Sequence, residues 1–255
     1  MSEPVLELSH VTKTFRERGG RRFKAVDDLS LTVGKGECVG IVGESGCGIS
    51  TMARIITRLL LPDEGSVMFC GTDMTKVKGA ELRKAYRNMK MIFQEPRSSF
   101  DARMTLGESV REALQPVLSS RKAQDEEIET LFQVVSLDKR FINEYPLNVS
   151  GGECQRAAIA RALAQSPRLL ICDEATSALD VSVQAQVMEL LVNIRKETDI
   201  AILFISHDLA LVSSFCDRTY VLNKGRVVEH GPTAQVINNP QEEYTKRLIA
   251  SVLTV

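Results

Sequence analysis

The sequence predicts an α/β fold built on a mostly parallel β-sheet, with an antiparallel β layer near the N-terminus and a helical insertion near the middle. Three observations carry that prediction. Four near-continuous apolar runs of strand length, Cys38–Val42, Met89–Phe93, Leu169–Cys172 and Ala201–Ile205, each stop abruptly at polar residues; such runs suit strands buried on both faces of a parallel sheet. The first of them runs into a glycine-rich turn, GESGCGIST (Gly43–Thr51), which passes directly into a helical pattern. Between the second and third runs the apolar residues take up helical spacing instead.

Taken in order, VLELSHVTKTF and RFKAVDDLSLTV read as strands of the antiparallel layer. STMARIITRLL reads as the helix after the glycine turn. Roughly residues 95–149 form the insertion: GESVREALQPVL and QDEEIETLFQVV are helix-like, with Ile128, Leu131, Phe132 and Val135 at i, i+3, i+4, i+7 and acids opposite. The acidic run Asp125–Glu127 reads as the solvated face of that helix. VLNKGRVVEHG reads as a hairpin turning at Lys224–Gly225, and a helix is expected near Pro240–Val252. The expected division is a core with its β layer over 1–94, a helical subdomain over 95–149, a second part of the core over 154–230 and a short helical tail over 231–255.

Composition removes several function classes. The 255 residues are 44% hydrophobic and 25% charged, within the globular range. Lys+Arg number 32 against Asp+Glu 33, so the basic excess that supplies most affinity for nucleic acid is missing. No apolar run approaches the roughly 20 residues needed to span a bilayer, and the N-terminus, MSEPVLELSH, has no basic segment followed by an apolar one. The expectation is a cytosolic chain that reaches any membrane through a partner. Six cysteines without a C-x-x-C pair read as reduced, mostly buried thiols and exclude a disulfide or zinc framework.

In open α/β sheets ligands sit outside the carboxyl ends of the strands, so the four run ends point to one site. The turn after the first run follows the phosphate-binding pattern G-x-x-x-x-G-K-[ST] at every fixed position except Ile49, which stands where a lysine belongs. Its glycines, Gly43, Gly46 and Gly48, let the backbone of Ser45, Cys47 and their neighbours curl so that successive N–H groups face a phosphate; Ser50 and Thr51 open the helix, with the Ser50 hydroxyl suited to Mg²⁺. The order G-x-x-G-x-G does not fit a dinucleotide fingerprint. Asp173 and Glu174 close the third run. Adjacent carboxylates at a buried strand end are costly unless a cation compensates them, which suits Asp173 to Mg²⁺ and Glu174 to accepting a proton from water. Gln94 follows the second run, and His207 follows the fourth, able to hydrogen-bond a γ-phosphate. In NVSGGECQRAAIARAL, Ser150 with Gly151 and Gly152 can cap a helix that offers N–H groups to an anion. A second anion-binding helix N-terminus makes sense if it faces a nucleotide held by another chain.

GESGCGIST, Gln94, VSGGE, LLICDE, SALD (Ser177–Asp180) and His207 occur in the order and approximate spacing of the P-loop, Q-loop, signature, Walker B, D-loop and H-loop of ATP-binding cassette transporter ATPases, which the chain resembles over nearly its whole length. FQEPRSSFDARMTLGESV, SALDVSVQAQV and NNPQEEYTKRLIAS resemble the oligopeptide, dipeptide and nickel importer subfamily. The resemblance implies a P-loop NTPase (RecA-like) core, ATP and Mg²⁺ as ligands, and Ser50, Gln94 and Asp173 around the metal. It also implies Glu174, His207 and Gln94 as catalytic groups, Phe15 (with Phe23 as competitor) against adenine, and Ser150, Gly151, Gly152, Glu153 and Asp180 completing a nucleotide site across a subunit interface. The implied partners are a second ATPase subunit, identical or not, two transmembrane permeases and, through them, an extracellular solute-binding protein, with no nucleic acid. The implied location is peripheral, at the cytoplasmic face of the inner membrane. Peptide-importing members often continue past the YT-x-x-L segment into a cysteine-containing extension; a sequence ending at Val255 favours a nickel-type or shortened subunit. A soluble cassette ATPase acting on DNA or ribosomes is the weaker rival.

Two departures stand out. VSGGE in place of the commoner LSGGQ keeps the Ser-Gly-Gly core. Ile49 is severe: the missing lysine forfeits a charge-assisted bond to phosphate of about 1.5–3 kcal/mol and charge compensation during transfer, so hydrolysis at this chain's own loop is expected to be slow or absent. Either the site has degenerated within a heteromeric pair, or a working subunit has been substituted at one position. Retention of Gln94, Asp173, Glu174 and His207 favours the second.

Overall fold

The structure is a computed structural model that describes residues 3–16, 20 and 22–252. In chain order the first elements are β1 (Leu6–Arg16), β2 (Arg22–Val33), β3 (Cys38–Val42), α1 (Ile49–Ile56), β4 (Glu64–Phe69), β5 (Thr72–Asp73), α2 (Gly79–Asn88) and β6 (Met89–Ile92). There follow α3 (Leu106–Leu114), α4 (Arg121–Val134), α5 (Gly151–Leu163), β7 (Leu169–Asp173) and α6 (Val181–Thr198). The chain closes with β8 (Ala201–Ile205), α7 (Leu209–Phe215), β9 (Arg218–Asn223), β10 (Arg226–Pro232), α8 (Thr233–Asn238) and α9 (Glu243–Val252). Short 3₁₀ turns cover Arg97–Ser99 and Lys139–Asn143. The chain divides into two compact units, one of Met1–Tyr86 with Ala201–Val255 and one of Arg87–Ile200.

The first unit holds an antiparallel sheet in the order β2-β1-β4-β5. It also holds the central strand β3, which pairs in parallel with both β8 and β9. All five residues of β3 and all five of β8 are buried, as their unbroken apolar composition requires of strands covered on both faces. β9 and β10 form the hairpin read from VLNKGRVVEHG; Lys224 and Gly225 both take positive φ, 48° and 82°, which is the geometry of a tight turn whose twist matches its strands. Arg218, at the start of β9, donates to Glu37 (2.5 Å) and to the Thr32 carbonyl (2.8 Å), tying β9 to the ends of β2 and β3.

In the second unit, β6 and β7 pair in parallel over Met89–Ile92 and Leu169–Cys172. α3 and α4 form where the sequence predicts helices. α3 opens on a capping box, Thr105 with Glu108, and α4 buries Ile128, Leu131 and Phe132, so each helix has one apolar face and a polar start. All six cysteines are free thiols, five of them buried, and no helix among the described residues is long and apolar enough to cross a membrane.

The Arg218 contacts are largely shielded, and removing the guanidinium leaves the Glu37 carboxylate and the Thr32 carbonyl short of donors. Arg218→Ala is expected to destabilise the chain by about 1–3 kcal/mol, read as a fall of about 2–4 °C in melting temperature per kcal/mol at this size; a melting curve that does not move would remove this tie from the account.

Candidate functional site

In the first unit the glycine turn lies at the end of β3. Gly48 precedes α1 with φ 109°, and a Cβ placed there would lie 2.2 Å from the Ala25 carbonyl oxygen of β2; only glycine permits that conformation and that approach. The glycine turn is held from the other side by the β9–β10 turn, where the Gly225 N–H donates to the Cys47 carbonyl at 2.7 Å. Cys47 is buried, and burial, the largest influence on it, raises its thiol above the ordinary range. Ser45, Gly46 and Ser50 are exposed, Ile49 and Thr51 partly so. No side chain caps α1, so its first-turn N–H groups and its positive end face outward over the turn.

Two further candidates belong to this unit. The parallel register sets Ile41 opposite Ile205, and the Ser206 N–H donates to the Ile41 carbonyl (3.2 Å). His207 is thereby carried to the same strand ends as the glycine turn, with its side chain exposed. Asp208, next in line, caps α7 through the N–H groups of Ala210 and Leu211, which fixes the loop that carries the histidine. Phe15 and Phe23 face each other across β1 and β2 with ring centroids 5.9 Å apart, stacked. The two competing aromatic candidates therefore form one patch.

In the second unit the acidic residues lie at a strand end. Ile92 of β6 lies opposite Cys172 of β7, which brings the exposed Gln94 and the Asp173–Glu174 pair to the same end of two adjacent strands. Burial, and secondarily the charge of Glu174, push the Asp173 carboxyl above its ordinary 3.8. Glu174 has φ 47°, a left-handed backbone uncommon for a non-glycine residue and found where structure over-determines it. The restraints are visible: its carbonyl accepts the Ser177 N–H and hydroxyl, and the next carbonyl, Ala175, accepts Gln155 Nε2 at 2.5 Å.

Ser150 is the N-cap of α5, and it forms a capping box with Glu153: the Ser150 hydroxyl accepts the Glu153 N–H, and the Glu153 carboxylate accepts the Ser150 N–H. The two glycines between them differ. A Cβ on Gly152 would sit 2.4 Å from Val183 Cγ1, whereas one on Gly151 meets nothing closer than 3.5 Å. Gly152 is thus demanded by packing on α6, whereas a Cβ at Gly151 would be tolerated in ordinary contact with Leu179. Asp180 caps α6, accepting the Val183 N–H at 3.0 Å. Gln155 was not a sequence candidate; a glutamine inside an alanine-rich helix reads as surface, and only the fold shows it fully buried against the turn that carries Glu174. Among the described residues no cluster of three or more His, Cys, Asp or Glu could hold a metal by itself.

Residues 26–177 match the family described as ABC transporter. The chain belongs to the ABC transporter family. Its relatives include the oligopeptide transport ATP-binding protein OppF of Salmonella typhimurium, 44% identical over 97% of this chain and 77% of that protein. The OppF of Bacillus subtilis is 42% identical over 99% of this chain and 83% of its own length. Among solved structures it is similar to one described as a dimeric post-hydrolysis state of the ATP-binding cassette MJ0796 bound to ADP and Pi, at 31% identity with a TM-score of 0.79, covering 89% of this chain and 98% of the other. The P-loop NTPase fold expected from the sequence is that of the ABC cassette. In the reading made from the sequence, the turn at Gly43–Thr51 corresponds to the family's P-loop, Leu169–Glu174 to its Walker B segment and Val149–Glu153 to its signature.

Asp173 yields a pH- and metal-dependent expectation. Its pKa is raised in the folded state, so the stability linked to its neutral form is fully present below 3.8 and is lost as pH rises through the raised value. Asp173→Asn is therefore expected to raise the melting temperature near neutral pH without divalent metal, and to shrink the stability difference between acid and neutral pH. A lowered melting temperature at pH 7 would contradict the burial argument.

Proposed function

We propose that this chain is the ATP-binding subunit of an importer of peptides, coupling ATP binding and hydrolysis at an interface with a second ATPase chain to movement of solute by membrane partners. The observation that carries the reading is the P-loop with α1 behind it: an exposed curl of backbone leading into a helix whose N-terminus no side chain caps, in a member of the ABC transporter family. A triphosphate there would be met by oriented N–H groups and the positive end of the helix. The acidic pair supports Mg²⁺, because two carboxylates of which one is disfavoured as an anion by burial are compensated by a cation. Ser50, Gln94 and Asp173 are the residues proposed to hold it, and when bound it supplies positive charge against the phosphate oxygens. In this reading Glu174 accepts the proton of the attacking water, His207 and Gln94 contact the γ-phosphate and its water, and the Phe15–Phe23 patch receives adenine. Ser150, Gly151, Gly152, Glu153 and Asp180 serve the nucleotide of the companion subunit, and residues 95–149 act as a helical subdomain ending at the signature.

The peptide cargo is supported by the names of the OppF relatives; a nickel or metal-chelate cargo has only the sequence resemblance behind it. The proposed assembly contains a second ATPase subunit, two permeases and a solute-binding protein, with this chain peripheral at the cytoplasmic face of the inner membrane. Copurification from membranes is expected to bring down two integral membrane proteins, and capture of ribosomes or nucleic acid in their place would overturn the transport reading.

Ile49 favours a second reading, in which the chain binds nucleotide weakly and chiefly completes the companion's site. Isoleucine donates no hydrogen bond, and its branch lies in the first turn of α1. Ile49→Lys is expected to tighten ATP binding by about one to two orders of magnitude, as a charge-assisted bond of about 1.5–3 kcal/mol implies, and to raise turnover at this chain's own P-loop. Equal affinities and rates for the two proteins, measured side by side, would refute the impairment.

A further inference from the structure

The P-loop is gripped at a second point by the far end of the chain. The main-chain N–H of Glu44, one residue into the loop, donates to the hydroxyl of Tyr244 at 3.2 Å. Tyr244 is half-buried in the first turn of α9. That helix is fastened in turn to the β9–β10 hairpin: the Glu229 carboxylate of β10 accepts the N–H groups of Gln241 (2.8 Å) and Glu242 (3.2 Å) just before α9 begins, and Thr245, beside Tyr244, is buried. The same hairpin donates its Gly225 N–H to the Cys47 carbonyl. Glu44 and Cys47 bracket Ser45 and Gly46, the exposed crest of the loop. The loop's curl is therefore fixed at its two shoulders by one connected piece, the hairpin and the helix anchored to it.

We infer that Tyr244 is a positioning residue for nucleotide binding: its hydroxyl holds the Glu44 N–H, and through it α9 keeps the P-loop in the curl that receives phosphate. A loop bound at only one shoulder samples more backbone states, and a ligand that needs one of them binds more weakly by the fraction of time that state is lost. Burial, the largest influence, raises the Tyr244 phenol above its ordinary 10, so the group remains a neutral hydroxyl at physiological pH. The inference rests on the reading of Gly43–Thr51 as the phosphate site. It adds to that reading a control point some two hundred residues away in sequence, on the helix that carries the YT-x-x-L segment.

The test uses the full-length chain with Mg²⁺ and a fluorescent ATP analogue, in the native protein, Tyr244→Phe, Ile49→Lys and the double variant. Tyr244→Phe removes one oxygen and keeps the ring. Loss of a neutral hydrogen bond corresponds to roughly a fivefold weakening of nucleotide binding, with hydrogen exchange at Glu44 accelerated and the nucleotide-free melting temperature little changed. In the Ile49→Lys background, where turnover is expected to rise, the KM for ATP rises while kcat stays within about twofold, a split that general destabilisation does not produce. If Ile49→Lys itself binds no nucleotide, the phosphate reading of the loop fails and this inference with it. If Ile49→Lys binds and the double variant binds as tightly, the inference alone is overturned. Should Tyr244→Phe not fold, Glu229→Gln, which loosens the anchorage of α9 and leaves the tyrosine in place, is measured in the same way and must give the same loss.

Discussion

At Gly43 and at Gly48 the backbone passes so close to other backbone that a side chain has no room. A Cβ on Gly48 would lie 2.2 Å from the Ala25 carbonyl, and one on Gly43 2.5 Å from the Leu222 carbonyl. These approaches let β2 and the end of β9 press on the loop from two sides, while β3, buried throughout, fixes where the loop begins. α1 can then start with its N–H groups turned outward and no side chain of its own covering them. An anion site of this kind depends less on charged side chains than on a backbone held in one shape. That is why a chain with isoleucine in place of the lysine keeps a recognisable loop: the cradle is made by glycine geometry and neighbouring strands, and the missing cation removes strength and chemistry without unmaking the fold.

The acidic strand end poses the opposite problem. Asp173 and Glu174 adjoin at the end of a strand whose preceding residues are fully buried, and Glu174 is held in a left-handed conformation. Neither feature helps the isolated chain to fold, and both are expected where structure is spent on chemistry. The restraint comes from Gln155, Ser177 and the following turn, so the helix capped by Ser150 also steadies the peptide next to the proposed general base. α5 thus has two duties within its own unit, presenting an N-terminus at one end and bracing the turn after β7 from its first buried turn.

Much of the fold was legible in local pattern. β3 and β8 match the apolar runs residue for residue, β6 and β7 differ from theirs by a single residue, and the Lys224–Gly225 turn and the Ser150 cap fall where the sequence puts them. Other elements were not legible. β4, EGSVMF, begins with two exposed residues, the second of them a glycine, and it is a strand because β1 supplies its partner. α6, eighteen residues long, has a weak amphipathic pattern and is organised by the Asp180 cap and by packing on α5. The competition between Phe15 and Phe23 also had no sequence solution, since the cross-strand register that stacks them is a property of the pair.

The sequence by itself determined the order of the phosphate loop, the capped second helix, the acidic strand end and the histidine after the fourth apolar run, and with it the family, because each of these is written in residues within a few positions of one another and obeys short-range rules of turn, cap and period. Tertiary structure alone decided what holds those pieces still: Gly225 on Cys47, Gln155 on Ala175, Tyr244 on Glu44. Each is a single hydrogen bond to a main-chain atom, so one of its two ends carries no side-chain identity to be read. Two of the three also join residues well over a hundred positions apart, where only the folded chain decides which donors and acceptors meet.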